Sequence, residues 1–306
     1  PYAGSSASPA YSGVFIPTIW SGKLIEKFYD ATVLAAISNT DYQGEISNMG
    51  DKVTIRTVPS LSISNYEVDQ ALSVQRPSSS VVELLIDKGK YWNAVLDDVM
   101  EIQSDLNLMN MWSEDASEQM KIAIDSDVLN NIASDVDGDN SGATAGRLSG
   151  NIDLGVTTTP INLTTANVIN WILRLGQVLD EQNIPENGRW LAVPPAVTAI
   201  IKDSDLKDAS LSGDGTSMLR NGRVGMIDRF TIYNSNLLPS GTADGLASGE
   251  TQIFAGHPNA LTFASQLTKT ETLRSESTFG TLMRGLQVYG YKIIDGTAIA
   301  TSIISV

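Results

Sequence analysis

The chain has 306 residues, of which 42% are hydrophobic and 18% are charged, and this length is enough for a large core divided between two or more lobes. Its formal net charge of −15 argues against a surface that binds nucleic acid through clustered Lys and Arg. The lack of cysteine and the presence of a single histidine exclude disulfides, thiol catalysis and multi-histidine zinc sites.

The first 40 residues predict an extended arm followed by a helix. Residues 1–16 are small and polar, with too few apolar side chains to form a core of their own. They lack the basic start and apolar centre of a signal peptide, and the chain has no apolar run that could span a membrane, which favours synthesis in a bacterial cytoplasm. Residues 18–39 repeat apolar side chains at helical spacing. These are Ile19, Leu24, Phe28, Val33 and Ile37.

The next segment predicts a long two-stranded arm. Residues 51–58 alternate apolar and polar side chains as a strand does, and residues 80–86 and 91–95 form a second β-rich stretch. Residues 59–79 between them are polar and rich in serine, which predicts a loose tip. Because an isolated hairpin is only marginally stable in water, we expect this arm to lie on a surface of its own chain or of another subunit.

A long helix is predicted from about residue 97 to residue 134. Asp97 and Asp98 favour its N-terminus, and no Pro or Gly interrupts it. It would be roughly 55 Å long, which few compact domains need. Its apolar stripe is Ile102, Leu106, Met109, Trp112, Ala116, Met120, Ile124, Val128 and Ile132. Its polar face is expected to carry Asp105, Asn110, Glu114, Glu118 and Asp125.

The second half of the chain mixes helices and strands, which predicts an α+β fold. Residues 164–182 predict a helix and residues 189–193 a buried strand, and Pro195 is expected to begin a helix that runs to about residue 207. Loops rich in glycine are expected at 135–160 and 211–223. Further strands are expected at 229–233, 252–254 and 260–264 and in the β-rich tail from 282 to 306.

Few residues point to chemistry. Asp135, Asp137 and Asp139 are candidate calcium ligands, but their loop lacks the glycine and terminal Glu positions of an EF-hand, so a solvated turn is the favoured interpretation. The lone His257 is interpreted as a turn residue. There is no G-x-S-x-G nucleophile elbow, and no cofactor is expected. An Asp/Glu pair for hydrolysis stays open, although nothing in the sequence singles one out.

Three phrases of the sequence carry a resemblance to a known family. Residues 189–195 read R-W-L-A-V-P-P before a predicted helix. Residues 222–238 read G-R-V-G-M-I-D-R-F-T-I-Y-N-S-N-L-L, with Arg229 where a glycine is more usual. Residues 260–264 and 279–292 resemble the closing strands of podovirus-type coat proteins. In this order, together with the arm, the hairpin and the long helix, they resemble the capsid-protein fold shared by tailed bacteriophages and herpesviruses.

The resemblance implies five regions along the chain. These are an N-terminal arm and helix at 1–40, an extended β-hairpin (the E-loop) at 41–95, a peripheral domain with the spine helix at 96–150, an axial domain at 151–255, and a return to peripheral-domain strands at 256–306. It also implies that subunits form pentamers and hexamers in an icosahedral shell, with the hairpin lying over the adjacent subunit and the arm reaching a neighbour.

The function that the resemblance implies is that of a structural major capsid protein and not an enzyme. Its partners would be other copies of itself, a portal protein, a scaffold or decoration protein, and enclosed double-stranded DNA that is not bound sequence-specifically. A membrane is not among them. The residues expected at intersubunit contacts are Phe15, Ile16, Trp20, Arg56, Leu61, Ile63, Tyr66, Leu72, Arg76, Arg220 and Arg223.

Three alternatives stay open. An encapsulin-like nanocompartment shell would have the same fold but enclose cargo enzymes. An acidic monomeric enzyme could use the hairpin as a lid, and a tail protein would form tubes or rings. A covalent crosslink through the hairpin lysines Lys52, Lys88 or Lys90 is not expected, because the sequence offers no matching asparagine and catalytic Glu motif.

Overall fold

The computed structural model describes residues 29–41, 52–59, 61–79, 81–98, 108–204, 225–276 and 278–306. The predicted arm at 1–16, residues 18–28 of the first predicted helix and the loop at 211–223 lie outside these ranges. Within residues 29–41 the only helical segment is Leu34–Ile37 (α1), so the helix predicted for 18–39 does not continue through residues 29–33.

Three longer helices follow along the described residues. They are Leu108–Asn131 (α2), Val168–Glu181 (α3) and Pro195–Asp203 (α4). The structure confirms the helix expected at 164–182, which begins later because the Thr164 N–H donates to the Asn167 Oδ1 at 2.7 Å and forms a turn first. It also confirms Pro195 as the first residue of a helix, where its missing N–H costs no hydrogen bond.

The strands fall into three separate sheets. The strands are Lys52–Arg56 (β1), Val81–Leu85 (β2), Lys88–Asp97 (β3), Ile161–Asn162 (β4), Arg189–Val193 (β5), Met226–Ile227 (β6), Phe230–Asn234 (β7), Glu250–Gly256 (β8), Leu261–Arg274 (β9), Gly280–Ile293 (β10) and Ile299–Ser305 (β11). Strands β1 and β2 form the smallest sheet, an antiparallel hairpin with Lys52 opposite Leu85 and Arg56 opposite Val81. The predicted hairpin is therefore confirmed.

A three-stranded antiparallel sheet has the order β3–β10–β9. The sequence placed residues 91–95 on the return strand of the hairpin, and this is wrong. These residues lie in β3, which pairs along its whole length with β10, Asp97 opposite Gly280. Strand β10 is nearly 200 residues away in the chain, so local alternation could not reveal which strand β3 pairs with.

A six-stranded sheet has the order β4–β11–β8–β5–β7–β6. Strand β5 is buried along its length and runs parallel to β7, and the two are joined through α4. The last strand, β11, pairs with β8 and β4 in this sheet. Residues 299–305 therefore do not lie with the strands of the three-stranded sheet, which corrects the expectation for 256–306.

One core cluster lies between the six-stranded sheet and the helices α3 and α4. Five apolar positions of α3 were predicted to share a face: Val168, Ile172, Leu175 and Leu179 are fully buried in this cluster, and Ile169 packs against it half-buried. Asn140 links its 3₁₀ turn to the start of β11, because its side-chain amide donates to the carbonyls of Thr297 (2.6 Å) and Ile299 (2.9 Å).

The spine helix α2 packs through its C-terminal part. Ile124, Val128 and Leu129 are buried in a second cluster, together with Ile132 in the 3₁₀ turn that follows. The stripe residues nearer its described start are only half-buried. The helix predicted from about residue 97 follows β3, which ends at Asp97; Asp98 is helical, and residues 99–107 lie outside the described ranges. The 24 described residues of α2 span about 36 Å.

Asp125 was expected on the polar face of this helix, but its side chain is buried with 1% exposure. Its Oδ2 accepts a hydrogen bond from the Val33 N–H at 2.7 Å, just before α1. Desolvation by burial raises the pKa of the Asp125 carboxyl, although hydrogen bonds from the Val33 and Leu34 backbone oppose that shift. Asp125 therefore fastens residues 33–34 to the spine helix.

We predict that Asp125→Asn changes how stability depends on pH. Because the folded-state pKa of Asp125 is raised above its ordinary value of 3.8, the folded state holds this proton more tightly than the unfolded state does. Stability from this group is complete below the unfolded pKa and declines as pH rises towards the folded pKa. Melting temperatures of both proteins across pH 4–7 should show wild type losing stability relative to Asp125→Asn as pH rises. A constant difference would contradict the prediction.

The turn between β6 and β7 consists of Asp228 and Arg229, with positive φ angles of 42° and 68°. Two-residue hairpin turns of this kind favour glycine, which accounts for a glycine being the more usual residue at position 229. Arg229 instead forms ion pairs with Asp180 (2.9 Å) and Glu186 (3.0 Å). These ion pairs offset part of the backbone strain.

Arg189 is fully buried at the start of β5 and joins this strand to the end of α3. Its guanidinium donates to the Asp180 carboxylate at 2.7 Å and to the carbonyls of Ile184 (2.6 Å) and Pro185 (2.9 Å). Asp180 thus accepts hydrogen bonds from both Arg189 and Arg229.

We predict that Arg189→Met lowers the free energy of unfolding by about 3 kcal/mol, because it leaves buried carbonyls without a donor. Arg229→Gly is the matched comparison: it removes exposed ion pairs but relieves the strained φ, so the change should stay within about 1 kcal/mol. Urea unfolding of the two variants measures the difference. Equal losses would show that Arg189 has no special structural role.

Candidate functional site

The hairpin continues beyond its β ladder in the same register. Ser62 faces Gln75, whose side chain accepts from the Ser62 N–H at 3.1 Å and donates to the Ser62 carbonyl at 2.7 Å. At the tip the Gln70 N–H donates to the Glu67 carbonyl, and Asp69 takes a positive φ of 67°. Side-chain amides therefore hold the two extended arms of the tip together where ladder hydrogen bonds are absent.

The hairpin tip exposes apolar side chains that none of the described residues cover. Ile63 is 97% exposed, and Leu61, Tyr66 and Leu72, which the sequence predicted as contacts, are exposed as well. Val58, Val68 and Val74 add to this surface. So large a set of exposed apolar side chains on one projection is typical of a binding surface.

The base of the hairpin is anchored to the three-stranded sheet. Leu84 and Ile55 are buried in a small cluster with Ala264 of β9. At the same place Gly290 of β10 lies against the Leu85 carbonyl, where a Cβ atom would come within 1.9 Å of the oxygen. Only glycine allows this approach, so β10 fixes the point from which the hairpin projects.

A polar cluster joins the start of β3, the spine helix and β10. The Tyr289 hydroxyl donates to Asp127 Oδ2 at 2.9 Å, and the Lys88 ammonium lies 3.5 Å from the same oxygen and 4.9 Å from the Tyr291 ring centre. Burial and the hydrogen bond to Asp127 raise the pKa of Tyr289, so its hydroxyl stays a donor. Lys88 therefore makes its ion pair and its ring contact with residues of its own chain.

The outer face of the three-stranded sheet is a second uncovered surface, which the sequence analysis missed. Tyr91 and Leu286 face each other across β3 and β10, and Val95 and Leu273 flank Leu282 further along; all but Leu282 are exposed. Arg284 pairs with Glu271 at 2.7 Å beside them. An open cleft of about 520 Å³ lies next to these side chains, with Trp92 against Gly285. Tyr91 and Val95 fall on one face of β3 and Trp92, Ala94 and Leu96 on the other, so apolar residues on both faces were the signal that could have revealed this surface.

The candidate calcium ligands do not converge. Asp135 pairs with Lys292 at 2.6 Å, and the Asp137 side chain accepts from the Asp139 N–H at 2.9 Å, capping a 3₁₀ turn. Within the described ranges no three His, Cys, Asp or Glu side chains lie close enough to share a metal ion. His257 caps another 3₁₀ turn through its Nδ1, which accepts from the Asn259 N–H, so the turn interpretation is confirmed.

The predicted contact residues divide into two groups. Arg56 and Arg76 lie on the hairpin with Leu61, Ile63, Tyr66 and Leu72, and all are exposed. The remaining predicted contacts, Phe15, Ile16, Trp20, Arg220 and Arg223, lie outside the described residues. In the part of the chain that the structure describes, no helix is long and apolar enough to cross a membrane.

Comparisons with known proteins agree with this geometry. A chain from Mycobacterium phage Che8 has 26% sequence identity and a TM-score of 0.78, with 94% of this chain and 97% of that chain covered. The capsid of cyanophage P-SCSP1u shares the fold at 17% identity and a TM-score of 0.73, covering 95% and 93% of the two chains. The mature capsid of bacteriophage PhiM1 does so at 14% identity and a TM-score of 0.70, covering 95% and 92%.

No curated protein sequence matches the chain. A family model described as phage capsid protein matches residues 85–302, which is more than half of the chain. This stretch includes β3, the spine helix and most of both larger sheets. The chain therefore belongs to the phage capsid protein family, as a structural subunit of a virion capsid.

Proposed function

We propose that copies of this chain assemble as pentamers and hexamers into a closed icosahedral shell that encloses double-stranded phage DNA. The hairpin carries this proposal: its tip exposes apolar side chains that no described part of its own chain covers, and Ile63 is 97% exposed. Burying them on a neighbouring subunit is favourable by about 25 cal/mol per Å² of apolar surface. Contacts of this head-to-tail kind close into rings.

The two larger sheets take the roles of the two domains expected in such a subunit. In this proposal the three-stranded sheet and the spine helix form the peripheral domain, and the six-stranded sheet with α3 and α4 forms the axial domain at the symmetry axes. The regions 1–40, 41–95, 96–150, 151–255 and 256–306 serve as approximate boundaries, with β3 and β11 reassigned as described above. Residues 1–16 reach a neighbouring subunit.

The proposed partners besides further copies are a portal protein and a scaffold or decoration protein. The protein has no catalytic role in this proposal and is made in the cytoplasm of the bacterial host. The DNA is enclosed and not specifically bound, because a chain with a net charge of −15 repels phosphate and lets the genome pack and leave. Likeness to podovirus-type coat proteins stays a prediction.

We predict that shortening the hairpin blocks assembly without unfolding the subunit. Replacing residues 59–78 with Asn-Gly would join Val58 to Ser79, which are opposite in the register of β1 and β2, by a two-residue turn. The variant should keep the melting temperature of wild type because the removed residues that the structure describes, 59 and 61–78, are exposed. Negative-stain microscopy and sedimentation should find shells for wild type only. Shells of normal size from the variant would contradict the role given to the hairpin.

A finer prediction concerns single apolar side chains of the tip. Ile63→Ser should leave subunit stability unchanged and raise the concentration needed for assembly about tenfold, since a buried contact of this size is worth about 1.5 kcal/mol or more. Val306→Ser is a matched control, because Val306 is also an exposed apolar residue but directly follows β11 of the six-stranded sheet and is not part of the hairpin. Light scattering against protein concentration measures both. An equal response of the two variants would argue against a specific role of the tip.

A further inference from the structure

The loop between α3 and β5, residues 182–188, contains two exposed asparagines. Asn187 is followed by Gly188, whereas Asn183 is followed by Ile184. After any asparagine, the main-chain nitrogen of the next residue can attack the side-chain amide, and a side chain on that next residue hinders the attack. Glycine offers no such hindrance. The sequence therefore leaves Asn187 open to a reaction that it hinders at Asn183.

The turn before β5 leaves both reacting groups without a hydrogen bond. Residues 187 and 188 form this turn, and Gly188 takes a φ of 82°, which favours glycine. Neither the Asn187 side chain nor the Gly188 N–H is hydrogen-bonded to any residue that the structure describes. Both residues are exposed to water. The attacking nitrogen and the amide carbon are thus adjacent in the chain, and neither has to leave a partner among those residues first.

Asn183 provides a contrast within the same loop. It also has a positive φ, 59°, but the N–H of the following Ile184 donates to the Leu179 carbonyl at 3.1 Å. Ile184 is β-branched and half-buried, and it packs against both large core clusters. A reaction at Asn183 would have to break this hydrogen bond and move a packed side chain. The structure therefore protects Asn183 as well.

The main chain on either side of the Asn187 turn is fixed by one buried side chain. Arg189 follows the turn directly, and its guanidinium donates to the carbonyls of Ile184 (2.6 Å) and Pro185 (2.9 Å) before the turn. Residues 184–189 thus form a loop that is closed by these hydrogen bonds. A change in the length of the main chain within the loop alters the distance that they have to span.

We propose that Asn187 is a site of spontaneous covalent modification, where the chain converts this asparagine into aspartate and isoaspartate. The Gly188 nitrogen attacks Asn187 Cγ, so that a new C–N bond forms and the bond to the side-chain nitrogen breaks. The side-chain nitrogen leaves as ammonia and carries away the Gly188 proton, and a five-membered succinimide ring remains. One water molecule then opens the ring. Attack at Cγ gives aspartate, and attack at the main-chain carbonyl carbon gives isoaspartate.

The two products differ in their effect on the fold. Both add a negative charge next to Glu186, which already pairs with Arg229 at 3.0 Å. Isoaspartate also inserts one CH₂ group into the main chain between the carbonyls of residues 184 and 185 and the guanidinium of Arg189 that binds them. Because β5 is buried along its length, it cannot shift to absorb the extra atom without disturbing its packing. Isoaspartate therefore destabilises the subunit more than aspartate does.

The test follows a peptide that carries both asparagines. Trypsin cuts after Arg174 and Arg189, which releases residues 175–189 with Asn183 and Asn187 together. When the purified chain is held for days at neutral and at mildly alkaline pH, this peptide should gain the mass difference between a hydroxyl and an amino group. Fragmentation should place the change at Asn187. The change should be faster at the higher pH, where the attacking nitrogen is deprotonated more readily.

Two comparisons separate the fold from the sequence. Asn187→Gln should lose the mass change, because glutamine would have to close a larger ring and does so far more slowly. The chain unfolded in guanidinium chloride gives the rate that the sequence alone sets. Conversion in guanidinium chloride without conversion of Asn187 in the folded chain would overturn the proposal, and so would equal conversion of Asn183 and Asn187 in the folded chain.

Thermal unfolding separates the added charge from the longer main chain. Freshly purified Asn187→Asp has the charge with an ordinary linkage, so it should melt with fresh wild type. Wild type held until isoaspartate has accumulated should melt a few degrees lower, whereas Asn187→Gln held in parallel should be unchanged. Modified wild type that melts with fresh protein would contradict the effect on β5. The measurements use the subunit itself, so their outcome does not depend on shell formation.

Discussion

The packing of the C-terminal part of the spine helix between the two larger sheets is the interaction on which the rest of the structure depends. Its buried side chains contact α1, residues such as Phe254 of the six-stranded sheet, and Tyr289 of the three-stranded sheet in one cluster. Asp125 and Asp127 add hydrogen bonds from the same helix to residue 33 and to β10. The two lobes and residues 33–37 therefore share this cluster, which the spine helix holds together.

Outside this shared core, other surfaces of the single chain keep apolar side chains exposed. The hairpin is anchored at its base by Leu84 and Gly290, but its tip exposes apolar side chains to solvent. The outer face of the three-stranded sheet exposes further apolar side chains beside charged ones. A subunit of this kind is stable because of its core and able to associate because of these uncovered surfaces. We therefore propose that the functional site of this capsid protein is a set of surfaces and not a pocket.

Helices and hydrophobic periodicity were the most predictable features. The face of α3 and the start of α4 at Pro195 follow from local rules of spacing and backbone geometry. Asp125 shows where such rules end, because a carboxylate on a nominally polar helix face is buried when a distant backbone N–H binds it. The assignments of β3 and β11 failed for a related reason: alternation identifies a strand but does not say which strand it pairs with.

The sequence by itself determined the α+β composition, the hairpin with its exposed apolar residues, the long helix and, through three short phrases, the family. These depend on neighbours along the chain, whose spacing is visible in the residues. Only the tertiary structure decided that β3 belongs to the three-stranded sheet, that β11 returns to the six-stranded one, and that Asp125 accepts a hydrogen bond from the backbone of residue 33. Those arrangements join residues far apart in sequence, and their free energy arises from contacts that form only when the chain is folded.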